Sequence, residues 1–309
     1  MTSATSRHNV VVATDENFAM PTAVTLRSLL LTCGDGLHIT VLHNGLSSRS
    51  RDHIMASLPE TDHTLAWYDV SDFVHGATTQ SHLPDSTYFR LLLGDALEPA
   101  VERAVYLDVD MLIRRDLAPL WDIDLRGYPL GAVQSIHYPF AGTRGAIDQW
   151  SELGIDPRSP FFNAGLLVVD MKLWREMQVA ERALEYLRSP FCGRGADQEA
   201  LNSATSGGWA QLAPVWNQQT PMLTNHYGAA HLFFSAEAIE VARTEPAVVH
   251  FQTRPKPWHR GCTHPWRDAW VDIAEQTTFR SVVDLRERSV ASEWRRRTRR
   301  AASALVKGT

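Results

Sequence analysis

Short apolar runs that end in acidic residues alternate with helical patterns along the first half of this chain. Val10-Val11-Val12-Ala13 runs into Thr14-Asp15-Glu16-Asn17 and reads as a buried strand. Pro21 then opens a helical pattern through Ala23, Val24, Leu26, Leu29 and Leu30, closed by Gly34 and Gly36. The same alternation gives strands over 37–42 and 64–70, helices over 48–58 and 86–97, and a strand 103–107 aimed at Asp108-Val109-Asp110. Strand and helix at this spacing favour the α/β class, an open, mostly parallel sheet flanked by helices. In such sheets ligands bind beyond the carboxyl ends of the strands, where Asp15 and Asp108 fall. The second half is less regular, with a strand over 164–170, helices over 178–188 and 196–206, a short strand over 247–251, and helices over 264–277 and 282–305. The simplest organisation is one body, residues 1–262, and a helical C-terminal region, residues 263–309.

Within that frame, Tyr106-Leu107-Asp108-Val109-Asp110 delivers two carboxylates spaced i and i+2 from a buried strand. On a strand both would share a face, and at its end they could clasp one hard cation such as Mg²⁺ or Mn²⁺. A strand followed by Asp-x-Asp is also the opening of the haloacid-dehalogenase-type phosphatases. Those enzymes usually continue with Thr or Val and a later acidic pair, whereas Leu112 follows here. His250 ends an apolar strand, where a neutral imidazole can complete a metal shell or simply serve the core. Six residues on stands Lys256, between Pro255 and Pro257. Only three of the 30 cationic residues are lysines (Lys172, Lys256 and Lys307), so a lysine on a proline-stiffened loop suggests a diphosphate clamp. Asp197-Gln198-Glu199 opens a helix, where Asp197 could be a cap. Phe162-Asn163-Ala164-Gly165 turns into a strand, and Arg90 offers a guanidinium to an acid or a phosphate.

Charge divides the chain. Residues 286–309 hold eight Lys/Arg and two Glu, a net of +6, so the rest carries −11 within the overall −5. An acidic body argues against nucleic acid as a partner. On a helix, Val290, Trp294, Ala301 and Leu305 share one face, with Thr298 in the gap and Arg295, Arg296, Arg297, Arg299 and Arg300 elsewhere. That pattern predicts a basic amphipathic segment docking on an anionic membrane surface, or a solvated helix packing Trp294 on the body. No run approaches a membrane span, the start shows no signal-peptide core, and the three cysteines form no metal or disulfide pattern. These features predict a cytoplasmic protein, peripheral on the inner membrane face where the tail docks.

Taken in order, the motifs resemble glycosyltransferase family 8, which includes bacterial lipopolysaccharide galactosyl- and glucosyltransferases and glycogenin. The matching segments are Ala13–Asn17, Ser86–Leu91, Tyr106–Asp110, Pro119–Leu125, Phe162–Gly165, Asp197-Gln198, Trp216-Asn217 and His250–His259. The resemblance implies a GT-A fold, a Rossmann-like, mostly parallel sheet, and a metal-dependent, retaining transfer of a hexose from a UDP-sugar, UDP-galactose or UDP-glucose, to a saccharide on a glycolipid, surface glycan or glycoprotein. Asp15 and Asn17 match positions on the uridine, and Asp108, Asp110 and His250 match the Mn²⁺ (or Mg²⁺) ligands. Lys256 matches the diphosphate contact, and Arg90 and Asn163 match positions around the donor sugar. Val109 joins these donor-binding positions. Asp197 and Gln198 match the catalytic pair, with Gln198 near the anomeric carbon. There are departures. Val133-Gln134-Ser135 supplies no acid after the strand beginning at Gly131, Thr253 and Arg254 occupy a stretch where a glycine is common, and Glu199 stands where Asp is frequent.

The chemistry requires stabilising the departing phosphate oxygen, a task for a cation and Lys256, and an oxocarbenium-like sugar, a task for the Gln198 side-chain carbonyl. Retention could follow from double displacement through Asp197 or Gln198, or from same-face attack. An amide is a poor nucleophile, which favours same-face attack. A phosphohydrolase and a non-catalytic UDP-sugar-binding homologue are the competing classes.

Overall fold

The structure, a computed structural model, describes residues 8–71, 73, 85–193, 196–223, 227–259 and 261–279. Strand β1 (His8–Thr14) is covered on both faces, with Val10 and Val12 in one apolar cluster and Val11 and Ala13 in another. Burial on both sides explains why its sequence is a continuous apolar run. It pairs in parallel with β2 (Leu37–His43) and β4 (Arg103–Leu107), and β2 pairs in parallel with β3 (His63–Asp69). Beyond β4 lie β6 (Leu130–Gln134), β7 (Phe162–Asp170) and the two-residue β8 (Ala210–Gln211). The seven-strand order is β3-β2-β1-β4-β7-β6-β8, with β7 antiparallel to both its neighbours. A three-strand sheet, order β5-β10-β9, joins β5 (Met111–Ile113), β10 (Val248–His250) and β9 (Gln218–Gln219).

Helices α1 (Ala19–Cys33) and α2 (Ser48–Met55) cover one face of the large sheet. The other face is covered by α3 (Leu93–Ala96), α4 (Met171–Glu176), α5 (Val179–Arg188) and α6 (Ala196–Thr205). Each fully buried Val or Leu contributes about 1.5–3 kcal/mol, so the strand ends that carry the acidic residues are held by a dense core on both sides. Helix α1 stops at Gly34, whose φ of 66° suits a residue without a Cβ. Two expectations shift. The helix expected over 86–97 is mainly a 3₁₀ stretch, Asp85–Leu92, followed by the four-residue α3. The three-strand sheet was not foreseen, because two- and three-residue strands leave no periodicity to read.

One irregularity positions the site. Ala132 of β6 pairs with Leu167, but the next residue, Val133, pairs with Asn163. Ala164, Gly165 and Leu166 are therefore looped out relative to β6, a bulge of the kind that re-aims side chains. Phe162 and Ala164 face the same cluster as Leu167 and Val169, so the alternation changes phase across the bulge. After a further short helix, α7 (Ala236–Thr244), comes α8 (Arg267–Ala274), whose Trp270, Val271 and Ala274 pack with Val24, Leu112, Val249 and Phe251. Among the described residues, no helix is long and apolar enough to cross a membrane. The basic tail lies outside the described residues.

Candidate active site

Asp108, Val109 and Asp110 form the connection between β4 and β5. The Asp108 N–H donates to Gly165 O across the bulge at 2.8 Å. Antiparallel pairing of β5 with β10 sets His250 beside Met111, one residue past Asp110. His250 Nε2 then lies 3.2 Å from Asp110 Oδ1 and 3.7 Å from Asp108 Oδ2. One ligand atom from each of the three residues falls within 4.8 Å of the others, and this is the one such cluster among the described residues. Asp110 Oδ1 is buried and accepts no hydrogen bond, the 3.2 Å approach of His250 notwithstanding. A buried carboxylate oxygen without a proton donor, beside a second carboxylate and an imidazole, fits a hard divalent cation. Lys256 reaches the same group, with Nζ 2.5 Å from Asp110 Oδ2 and also donating to Phe251 O.

Arg90 sits behind the acids and is 6% exposed. Its Nη2 lies 2.9 Å from Asp108 Oδ1 and its Nε 2.8 Å from Asp197 Oδ2, while Nη1 donates to Ala164 O. The Tyr106 ring packs under the guanidinium, and its hydroxyl donates to Asp108 Oδ1 at 3.0 Å. One planar fork thus spans two carboxylates and a carbonyl, which a lysine could not do.

A chain of amides runs along the other side. Gln198 Oε1 accepts from Ala164 N at 3.1 Å and from Asn163 Nδ2 at 2.9 Å. Asn163 Oδ1 accepts from Gly165 N at 3.1 Å and from Asn217 Nδ2 at 2.8 Å. Asn217 Oδ1 lies 3.0 Å from His250 Nδ1. Asn217 is fully buried and Asn163 nearly so.

Burial opposes charge throughout this cluster, and the partners decide the outcome. For Asp110, the positive charge of Lys256 overcomes burial and holds the carboxyl well below its usual range. For Asp108, burial wins over Arg90, aided by repulsion from Asp110, and the pKa rises. Asp197 is pushed up to about 6 by burial, with Arg90 opposing the rise. Burial disfavours the Arg90 charge, but the carboxylates of Asp108 and Asp197 more than offset it and keep the guanidinium protonated.

Residues 9–262 match the family described as "Glycosyl transferase family 8". The chain belongs to glycosyltransferase family 8. Among its relatives, General stress protein A of Bacillus subtilis (strain 168) is 24% identical over 282 residues, covering 89% of this chain and 95% of that protein. The lipopolysaccharide 1,3-galactosyltransferase of Salmonella typhimurium is 20% identical over 273 residues, 85% of this chain and 76% of that one. Among solved structures, the galactosyltransferase LgtC in complex with donor and acceptor sugar analogs has a TM-score of 0.72 and 25% identity, covering 88% of this chain and 99% of that one. The bifunctional glycosyltransferase WbbM has a TM-score of 0.76 at 20% identity, covering 94% of this chain and 53% of its own, a likeness of fold. The fold is of the GT-A type.

For this family 8 chain the structure places each residue singled out from the sequence. Asp108, Asp110, His250 and Lys256 converge as expected. Asp15 and Asn17 lie at the same end of the sheet, since β1 and β4 run parallel in adjacent positions. Asp15 Oδ1 also caps the 3₁₀ turn Glu16–Phe18, accepting from Asn17 N at 2.8 Å and Phe18 N at 3.3 Å. Val109 has its side chain in the core, and its carbonyl accepts from Thr25 Oγ1. Arg90 and Asn163, expected around the donor sugar, also engage neighbouring protein groups. Asp197 is an ion-pair partner rather than a simple helix cap. The Gln198 carbonyl, expected to face the sugar cation, has both lone pairs occupied by N–H donors. Glu199 is buried, accepting from the Tyr186 hydroxyl at 2.5 Å and Gly193 N at 3.1 Å, so the departure from Asp holds the approach to α6. Asn217 and Tyr106 received no role from the sequence. Asn217 follows Trp216 in a family-like pair, the one signal that pointed to it.

Proposed function

We propose that this chain is a metal-dependent, retaining hexosyltransferase that moves galactose or glucose from a UDP-sugar to a saccharide acceptor. The observation that carries the reading is the convergence of Asp108, Asp110, His250 and Lys256 at the carboxyl end of the sheet. Asp108, Asp110 and His250 would hold Mn²⁺ or Mg²⁺. The bound ion would supply positive charge to the leaving diphosphate. Lys256 is within reach of the same charge and, on release from Asp110, can donate to a phosphate oxygen. Arg90 opposes the burial that raises the pKa of Asp108 and Asp197 and fixes both carboxylates in place, so little reorganisation is needed as charge develops. Gln198 has its oxygen committed to Ala164 N and Asn163, which makes it a still poorer nucleophile and supports same-face attack. The Salmonella galactosyltransferase and LgtC support galactose among the donors.

The decisive assay is UDP release from a panel of UDP-sugars with Mn²⁺, with and without saccharide acceptors. The expected result is release from UDP-galactose or UDP-glucose that rises with acceptor. No release from any donor overturns the proposal, and p-nitrophenyl phosphate turnover in its place would reveal a phosphohydrolase.

The basic tail would dock the enzyme on an anionic inner leaflet, facing a lipid-linked acceptor. Its +6 charge and aromatic anchor are the support. Deleting residues 286–309 is expected to abolish binding to anionic liposomes, and unchanged binding overturns this part.

A further inference from the structure

The amide chain beside the cluster has a definite direction, because it is anchored by backbone groups whose roles cannot be exchanged. Side-chain amide orientation is ordinarily an assignment, since O and N look alike. Here two main-chain N–H groups settle it. Gly165 N must donate, so the atom of Asn163 it meets at 3.1 Å must be the carbonyl oxygen. Ala164 N must donate, so the atom of Gln198 it meets at 3.1 Å must be the carbonyl oxygen too, and the Asn163 amide nitrogen correctly faces that oxygen at 2.9 Å. Asn163 Oδ1 can be approached at 2.8 Å only by a donor, so Asn217 must turn its NH₂ there. The other end of the Asn217 amide is then an oxygen, and it faces His250 Nδ1 at 3.0 Å.

We infer that Asn217 is a positioning residue that fixes His250 as the Nδ1–H tautomer and so aims the unprotonated Nε2 at the cation site. An acceptor opposite Nδ1 requires a proton there. In the neutral ring the lone pair is then on Nε2, the atom 3.2 Å from Asp110 Oδ1 and 3.7 Å from Asp108 Oδ2. This explains why Asp110 Oδ1 is buried without a hydrogen bond so close to an imidazole nitrogen. Two acceptors face one another, and a cation between them is what both lack. Hydrogen bonds from the second nitrogen of a ligating histidine set its orientation and raise its basicity. The chain also joins Gln198, next to the expected sugar site, to the metal ligand through Asn163 and Asn217. Of the bulge residues, Ala164 N holds the Gln198 end of that link and Gly165 N holds the Asn163 oxygen in its middle.

The inference rests on the metal site proposed above, and its test separates the two. Histidine-labelled, metal-free protein is examined by long-range ¹H–¹⁵N NMR at pH 8.5, with the His250 signals identified by their loss in His250→Ala. The expected state has the proton on Nδ1 and none on Nε2. A proton on Nε2 overturns the inference, whether or not the protein binds metal. In Asn217→Leu, close in size, the ring is expected to shift toward Nε2–H, and the Mn²⁺ dissociation constant to rise about 10–100-fold. An Asn217→Leu protein that melts as wild type, keeps Nδ1–H and binds Mn²⁺ equally well also overturns it. Wild-type protein with Nδ1–H that binds no Mn²⁺ would sink the metal site while leaving the tautomer assignment standing. Because the first measurement uses the wild-type chain, it stands even where the buried substitution disturbs folding.

Discussion

Gly165 lies directly against the His250 ring. A Cβ built on Gly165 would collide with His250 Cε1 and stand 2.8 Å from Nδ1 and 2.9 Å from the Met111 methyl carbon. The absence of a side chain at the bulge is therefore what gives the imidazole its place between Asn217 and the two aspartates. Gly165→Ala is expected to displace the ring and weaken Mn²⁺ binding by about 10–100-fold, the range found when support around a metal ligand is lost. Titration calorimetry on protein of unchanged secondary structure measures it. Wild-type affinity in this variant would mean the ring moves without cost.

Arg90→Met leaves the buried Asp197 and the half-buried Asp108 without their guanidinium. Breaking a buried pair from one side costs about 3–5 kcal/mol, to be read from the denaturant midpoint of metal-free protein. Arg90→Lys should recover little, because one ammonium cannot span Asp108, Asp197 and Ala164 O at once. A loss below about 1 kcal/mol, typical of an exposed pair, would contradict this role.

Asp110→Ala removes the oxygen that faces His250 and the partner of Lys256 together. It should abolish Mn²⁺-dependent transfer, whereas Gln198→Ala should leave measurable activity, its oxygen being occupied by Ala164 N and Asn163. Full, metal-independent activity in the Asp110 variant would refute the metal assignment. Complete loss in the Gln198 variant, with Mn²⁺ affinity intact, would restore the case for double displacement.

His264 makes acid stability a local matter. Its Nδ1 accepts from Trp266 N at 3.2 Å, its Nε2 is buried without a partner, and the Phe251 ring stands 4.5 Å away. Burial lowers its pKa from 6.5 to about 4. The unfolded chain takes up this proton as pH falls through 6.5, while the folded ring resists until about 4. The contribution to stability is whole above 6.5 and is lost between 6.5 and 4. The melting temperature of His264→Gln should therefore fall less steeply than wild type across that window. Parallel curves would assign the acid sensitivity to other groups.

Much of the fold was legible along the chain because its signals are local. Val10–Ala13 and Arg103–Leu107 are buried on both faces, so their apolar runs read as strands and the acids after them as strand ends. The 3₁₀ stretch carrying Arg90 read as an α-helix, since a period of 3.0 and one of 3.6 barely separate over eight residues. Strands β5, β8 and β9 were too short to leave a pattern.

The sequence by itself determined the α/β class, the family and the residues Asp108, Asp110, His250 and Lys256 that come together at the candidate site, because these depend on residue types in a fixed order. Tertiary structure alone decided what those residues do to one another. The bulge at Ala164–Leu166 arises from pairing with two strands at once, and it brings Gly165 under His250 and Asn163 against Asn217, 54 positions away in sequence. Arg90, matched to a position around the donor sugar, is also the counter-ion of Asp108 and the buried Asp197. The physical reason is burial. A charged or amide group that loses water must find partners at hydrogen-bond distance, and which partners stand there is set by the packing of strands far apart in the chain.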